Sequence, residues 1–429
     1  MVVWKTIEEL DGNLYALILG ATCILFSVLL RLNTLFQPNS FDVLSWTAFY
    51  FAIIKYFKTE NNKWLFIGAV VFALGFLNKY NIIFLLIGLL PAILLTDQRN
   101  VFTKKELYLS LLLGLLMVSP NLIWQYKNSF PVVHHLKQLS IKQLVNVSRL
   151  DFLKSQLFFF IGSFFVIISA FYALIFHHPF KRYKPFFWSF IFTLTVFIYL
   201  KAKDYYAIGL YPIYIAFGSV FLSDKIKQVW YNNYLKPILV AIPILFFIPL
   251  YHVIFPNKSP EYITTHKTIY QKLGLLRWED GKDHDLPQDF ADMLGWKELA
   301  IKVDSIYTTL PNPQNTFILC DNYGQAGAIN YYTKHNIVAH SFNADYIDWL
   351  KYEQNIVDVV LVKENDDEDK NRTEEISLFD TVYLADKRIN KFAREDTISI
   401  YVLLGAKVDI NKQIKEEAER IKSYRQNGF

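Results

Sequence analysis

Cysteine is almost absent from this 429-residue chain. Cys23 lies in an apolar run of the first part and Cys320 in the acidic remainder, so no disulfide framework can be built and the redox compartment stays unspecified. Acidic residues are scarce in the first three-fifths. Through Phe255 there are 22 Lys and Arg against 10 Asp and Glu, whereas the remainder holds 22 and 29, so a net charge of +5 divides into +12 and −7. That asymmetry marks two domains and argues against nucleic acid as a partner. No cleavable leader is legible, because residues 1–13 are polar and acidic and run directly into an apolar stretch. No internal repeat is visible across the apolar part.

What is abundant is apolar surface: 53% of residues are hydrophobic and 17% aromatic, clustered in the first part of the chain. Runs fall at 14–30, 41–57, 64–76, 82–96, 107–124, 152–176, 185–200, 205–222 and 238–255. The expected fold is an α-helical polytopic membrane protein with about nine transmembrane helices, several at the short end of the roughly 17–25 residues a crossing takes. Lys5, Lys58, Lys63, Arg99, Lys104, Lys105, Lys181, Arg182, Lys184, Lys225 and Lys227 all fall in alternate connections, which the positive-inside rule assigns to the cytoplasm. The other face then carries Arg31, the turn at Lys79, the turn Lys201-Ala202-Lys203-Asp204, and the long basic connection 125–151 with His134 and His135. Its carboxylates are Asp42, Asp151 and Asp204. Several cations and a few acids beside a bilayer suit an anionic lipid headgroup that is held or reacts.

From about residue 256 the pattern changes. Residues 289–310 have helical spacing, and β-rich runs follow at 316–320, 337–340, 357–362, 381–384 and 398–403, with a strand-to-helix turn at 321–332. A C-terminal α/β domain is expected, giving domains 1–255 and 256–429. Gly324 and Gly327 do not make a dinucleotide fingerprint and read as a tight turn. Residues 363–375 read as a solvated loop and 411–425 as an exposed polar helix.

Four stretches carry a resemblance: Gln37-Pro38-Asn39-Ser40-Phe41-Asp42; Gly75-Phe76-Leu77-Asn78-Lys79-Tyr80; Ser119-Pro120-Asn121-Leu122-Ile123-Trp124-Gln125; and Lys203-Asp204-Tyr205-Tyr206 before Tyr211-Pro212. In order and spacing they resemble glycosyltransferase family 39. It comprises the dolichyl-phosphate-mannose-protein mannosyltransferases and bacterial lipid A aminoarabinose transferases of the GT-C membrane fold. Two tail stretches, Leu286-Pro287-Gln288-Asp289 and Asn322-Tyr323-Gly324-Gln325, resemble a bacterial branch of it.

The resemblance implies transfer of a sugar from a polyprenyl-phosphate carrier to a lipid, glycan or protein acceptor, on the outer face of the bacterial cytoplasmic membrane. By the family pattern Asp42 is the leading catalytic acid and Asp204 the second. Lys79, Lys203, Tyr205 and Tyr206 fall on the phosphate side, with Arg31 within reach of the same phosphate. His134 and His135 read first as loop residues and second as acceptor or phosphate contacts. Some members use a divalent cation, and no residue here fixes one. The family's first helix and first acidic loop have no counterpart in this sequence. A truncated, inactive homologue that binds lipid-linked sugar therefore stays open beside the enzyme, as does a lipid-linked sugar transporter, although broken mid-membrane helices are not legible.

Structural alternatives stand next to these roles. Asp42 sits where a helix begins and reads equally as an N-cap. Lys79 and Arg31 read as snorkelling interfacial cations, and Lys201 and Lys203 as anchors beside the aromatic belt of Tyr205 and Tyr206. His134 and His135, being adjacent, point about 100° apart on a helix and cannot form a helical metal pair. Asn146-Val147-Ser148 matches a glycosylation acceptor, a pattern common by chance.

Overall fold

A computed structural model describes residues 1–351, 353–365 and 369–427. The chain divides into two compact units: Met1–Asn257 with Glu279–Gly281, and Lys258–Trp278 with Lys282–Phe429.

The first unit is helical: α1 (Val2–Glu9), α2 (Leu14–Leu25), α3 (Val28–Leu32), α4 (Asn39–Thr59), α5 (Lys63–Asn78), α6 (Ile83–Leu94), α7 (Lys105–Lys127), α8 (Pro131–Lys142), α9 (Arg149–Phe159), α10 (Phe164–Phe176), α11 (Lys184–Tyr199), α12 (Tyr211–Ile226), α13 (Asn232–Phe247) and α14 (Tyr251–Ile254). Fewer of these qualify as crossings than the nine apolar runs suggested. Among the described residues, three segments are long and apolar enough: Lys105–Lys127, Asp204–Ile226 and Asn232–Ile254. Counting each of two bent pairs as one crossing raises this to five; their bends are 107° after Leu94 and 65° after Phe159. The breaks have local causes. Phe26 leaves helical backbone at φ −98° and ψ 53°, and the Ser27 side chain caps the next turn through the Leu29 amide, which splits the 14–30 run into α2 and α3. Phe160, at φ −131° and ψ 31°, does the same to the 152–176 run.

Segment Asp204–Ile226 is the hub. Its apolar window is 89% buried, against 11% for Lys105–Lys127 and 17% for Asn232–Ile254. Helices α1, α2 and α10 pack on α12, while α6 pairs with α11 and α5 lies between α4 and α7. The polar N-terminus is itself an amphipathic helix whose Thr6 and Ile7 are buried. Residues from the expected cytoplasmic connections meet at one end: Lys55 bonds Glu9, Lys58 bonds Asp11, Lys181 pairs with Asp97, and Arg182 donates to the Lys58 carbonyl. Toward the other end of α4, about 24 Å from Lys58 at 1.5 Å per residue, lies Asp42.

The second unit contains α15 (Pro260–Thr265), α16 (Lys267–Lys272), α17 (Gln288–Ala291), α18 (Trp296–Tyr307), β1 (Thr316–Cys320), α19 (Tyr323–Tyr332), β2 (Ala339–Ser341), β3 (Asp358–Glu364), α20 (Thr373–Ile376), β4 (Phe379–Ile389), β5 (Thr397–Ala406) and α21 (Ile410–Asn427). The sheet order is β2-β1-β3-β5-β4; β1 is parallel to β2 and β3, and β5 is antiparallel to β3 and β4. Alternation along the strands makes two cores. Ile318, Val360, Val362 and Ile400 face α18 and α19, while Phe317, Leu361, Tyr401 and Leu403 face Ile410 and Ile414 of α21.

Three expectations change here. The helix expected over 289–310 is cut at Gly295, whose φ of +84° is left-handed, into α17 and α18. The 363–375 stretch is not simply a solvated loop: Lys363 and Glu364 end β3, and Arg372 is buried against the Tyr401 ring. Residues 366–368 of that stretch lie outside the described residues. The C-terminal helix buries Ile410, Ile414 and Ala418, so it is amphipathic rather than wholly exposed.

Candidate functional site

The site forms where the first turn of α4 meets the end of α5. Pro38 takes the N-cap position of α4, with no side-chain cap. Asp42 therefore lies inside the first turn, and its carboxylate does not cap the backbone: Oδ1 accepts from Trp46 Nε1 at 3.0 Å and Oδ2 from Asn81 Nδ2 at 3.0 Å. Asp42 is 4% exposed. Of its two local readings, capping is the one the geometry removes.

Helix α5 stops because Lys79 is extended, at φ −157° and ψ 124°. Its Nζ donates to Asn39 Oδ1 at 2.6 Å and stands over the rings of Tyr206 at 4.6 Å and Tyr205 at 5.0 Å. Burial pushes the Lys79 pKa down to about 8; the Asp42 carboxylate opposes that fall and the Lys203 ammonium adds to it. The neighbouring Asn78 side chain donates to the Pro38 carbonyl at 3.0 Å, fastening the α5 end to the α4 start. Asn81, two residues on, bonds the Tyr206 carbonyl at 3.1 Å as well as Asp42. Its own Oδ1 is buried without a hydrogen-bond partner among the described residues.

Lys203 approaches the Tyr205 ring at 6.0 Å and forms an ion pair with Glu279 at 2.5 Å. The third quoted stretch arrives through Tyr80, whose hydroxyl donates to Asn121 Oδ1 at 2.8 Å and accepts from Gln125 Nε2 at 2.9 Å. All four stretches of the first unit thus meet at one place.

The other expected residues are placed differently. The Asp204 carboxylate turns to its own 3-10 turn, accepting from the Tyr205 amide at 2.8 Å, and also bonds Ser155 of α9. Arg31 is buried in the last turn of α3, which Ser40 ties to the start of α4 by bonding the Leu32 carbonyl. His134 and His135 lie on α8 rather than in an irregular loop, and no hydrogen bond joins them to Asp42 or Lys79 among the described residues. Asn146 bonds the Lys142 and Glu279 carbonyls. Among the described residues no group of three His, Cys, Asp or Glu side chains is placed to hold a metal ion, so a divalent cation finds no ready ligand set.

Sequence reasoning missed Asn39, Trp46, Asn81 and Glu279. A signal existed for two of them: Trp46 is one helical turn from Asp42, and Asn81 adjoins the Lys79 turn. Glu279 carried none, being 76 residues from Lys203. Below the site, a cavity of about 260 Å³ with an almost wholly apolar lining runs between α4, α5, α6 and α7, lined by Phe49, Phe57, Leu89, Leu111 and Val118 among others.

No curated protein matches the chain, and no solved structure does. One family model matches, that of the dolichyl-phosphate-mannose-protein mannosyltransferases, over residues 1–124. That span includes Asp42, Lys79, Asn81 and Asn121, and ends before Gln125 and Lys203. Over residues 1–124 the resemblance is borne out: this part of the chain is similar to that family of membrane glycosyltransferases of the GT-C type.

Proposed function

We propose that the protein transfers a sugar from a polyprenyl-phosphate carrier to a hydroxyl-bearing acceptor at the outer face of a bacterial cytoplasmic membrane. The observation that supports this best is the convergence of Asp42, Lys79 and Lys203 with the Tyr205 and Tyr206 rings at one end of the helical unit. In this reading Asp42 takes the proton of the acceptor hydroxyl as its oxygen bonds the anomeric carbon. The bond from that carbon to the phosphate oxygen breaks, and its electron pair leaves with the lipid phosphate, whose charge Lys79 and Lys203 stabilise. The unpartnered Asn81 Oδ1 supplies an acceptor for a substrate hydroxyl beside Asp42. The apolar cavity suits the isoprenoid tail: Phe49 and Ile53, on its wall, lie two and three turns along α4 from Asp42.

A second reading, binding without transfer, draws on the burial of Asp42, whose two oxygens already accept hydrogen bonds. One assay separates the two. Purified full-length protein is given radiolabelled polyprenyl-phosphate sugars and an acceptor extract. Asp42→Asn or Lys79→Ala is expected to lower transfer by about 100-fold or more while the protein still inserts. Unchanged turnover in both would remove the site. Donor binding with no transfer by the native chain would favour the second reading.

A further inference from the structure

Lys203 is already held by an anion. Glu279 reaches it from the tip of a hairpin. In the stem, the Trp278 amide donates to the Lys282 carbonyl at 2.9 Å and the His284 amide to the Leu276 carbonyl at 2.9 Å. Arg277 and Asp283 bridge, and the Trp278 and His284 rings stack at 3.6 Å. The tip, Glu279–Gly281, belongs to the first compact unit. Asn146 Nδ2 donates to the Glu279 carbonyl at 3.0 Å. Gly281 has a φ of +77°, and a Cβ there would lie 2.9 Å from Asn146 Cγ, so both backbone and space demand glycine. The Lys203 and Glu279 side chains are 13% and 32% exposed, which keeps the pair from being fully screened by solvent.

We infer that Glu279 is the resident anion of the Lys203 site: its carboxylate takes the place of a lipid phosphate, yields it when the phosphate arrives, and reclaims it as the product leaves. This rests on the reading of Lys203 as a phosphate contact. The donor's phosphodiester carries one charge, as the carboxylate does, and displaces it with the help of the tail and sugar bound beside it; the monoester left after transfer brings more charge and more acceptor oxygens than one carboxylate. The competing carboxylate weakens retention of the lipid phosphate left after transfer, the species that would otherwise hold the site shut.

The test is equilibrium binding of a polyprenyl monophosphate to the full-length protein in nanodiscs, with thermal stability followed alongside. Glu279→Gln is expected to bind about three- to tenfold tighter, and Lys203→Ala about tenfold weaker, the scale of partly buried charge pairs. Adding Glu279→Gln to Lys203→Ala should then bring no tightening, because the two act through one contact. Gly281→Ala moves the tip off Asn146 without changing charge and should also tighten binding. If Lys203→Ala weakens binding while Glu279→Gln leaves it equal or weaker, Glu279 is no occupant of the phosphate position and the inference fails alone. If Lys203→Ala leaves binding unchanged, the phosphate reading fails with it.

Discussion

Asp42 illustrates how a single side chain acquires a role from its neighbours. A carboxylate in the first turn of a helix is favoured by the helix dipole, yet this one spends both oxygens on an indole and an amide from another helix end. The contacts fix its rotamer and aim it at the turn that carries Lys79. In the second unit, His340 shows the opposite use of an imidazole. It is 6% exposed, stacked on Phe317 at 4.5 Å, and burial, reinforced by the Lys351 ammonium, pushes its pKa down to about 4. The unfolded imidazole titrates near 6.5, so the unfolded chain binds the proton first. Stability contributed by neutral His340 is full above that value and is lost as pH falls toward 4. Protection factors of the β1 and β2 amides, corrected for the intrinsic pH dependence of exchange, should fall as pH drops across that window, and His340→Gln should flatten the dependence; protection factors constant with pH in the native chain would refute it.

Some helix contacts in the first unit close on glycine, as in membrane helix pairs, where small residues let backbones approach. Gly218 of α12 is the clearest instance: a Cβ there would collide with the Val166 carbonyl of α10, which is backbone and cannot swing away. Gly218→Ala should therefore force α10 and α12 apart and cost about 1–3 kcal/mol, read as a lowered Tm of the purified protein. An unchanged Tm would mean that the helices separate without loss. Element identity is largely legible in the sequence: β-rich composition marks the strand at 316–320 and the glycine-bearing stretch at 321–332 a strand-to-helix turn, because β1 and α19 obey their local propensities. The breaks at Phe26 and Phe160 are not, because aromatic residues carry no helix-stopping signal.

At the scale of the molecule, opposite ends of α4 carry opposite assignments: Lys58 sits among Glu9, Asp11 and Arg182, and Asp42 beside Lys79. Side-specific labelling tests this. The two native cysteines, Cys23 and Cys320, are buried. A membrane-impermeant maleimide should therefore label Lys127→Cys in intact cells, but label Glu60→Cys and Arg99→Cys only after permeabilisation. Labelling of Glu60→Cys and Arg99→Cys in intact cells, with Lys127→Cys reached only after permeabilisation, would reverse the topology and with it the outer-face assignment.

The sequence by itself determined the division into a basic apolar part and an acidic α/β part, because hydropathy, periodicity and charge are sums over neighbouring residues. It also marked Lys79, Lys203 and Asp42 as expensive charges beside a membrane. Only the tertiary structure decided that Asn81 joins Asp42 to the Tyr206 backbone, that Asp204 serves its own turn, and that Glu279 sits on Lys203. Those pairings bridge 39 to 125 residues where they matter most. A chain read locally holds no information on which distant side chain will satisfy a buried hydrogen bond or charge; packing decides it, by leaving that group no other partner.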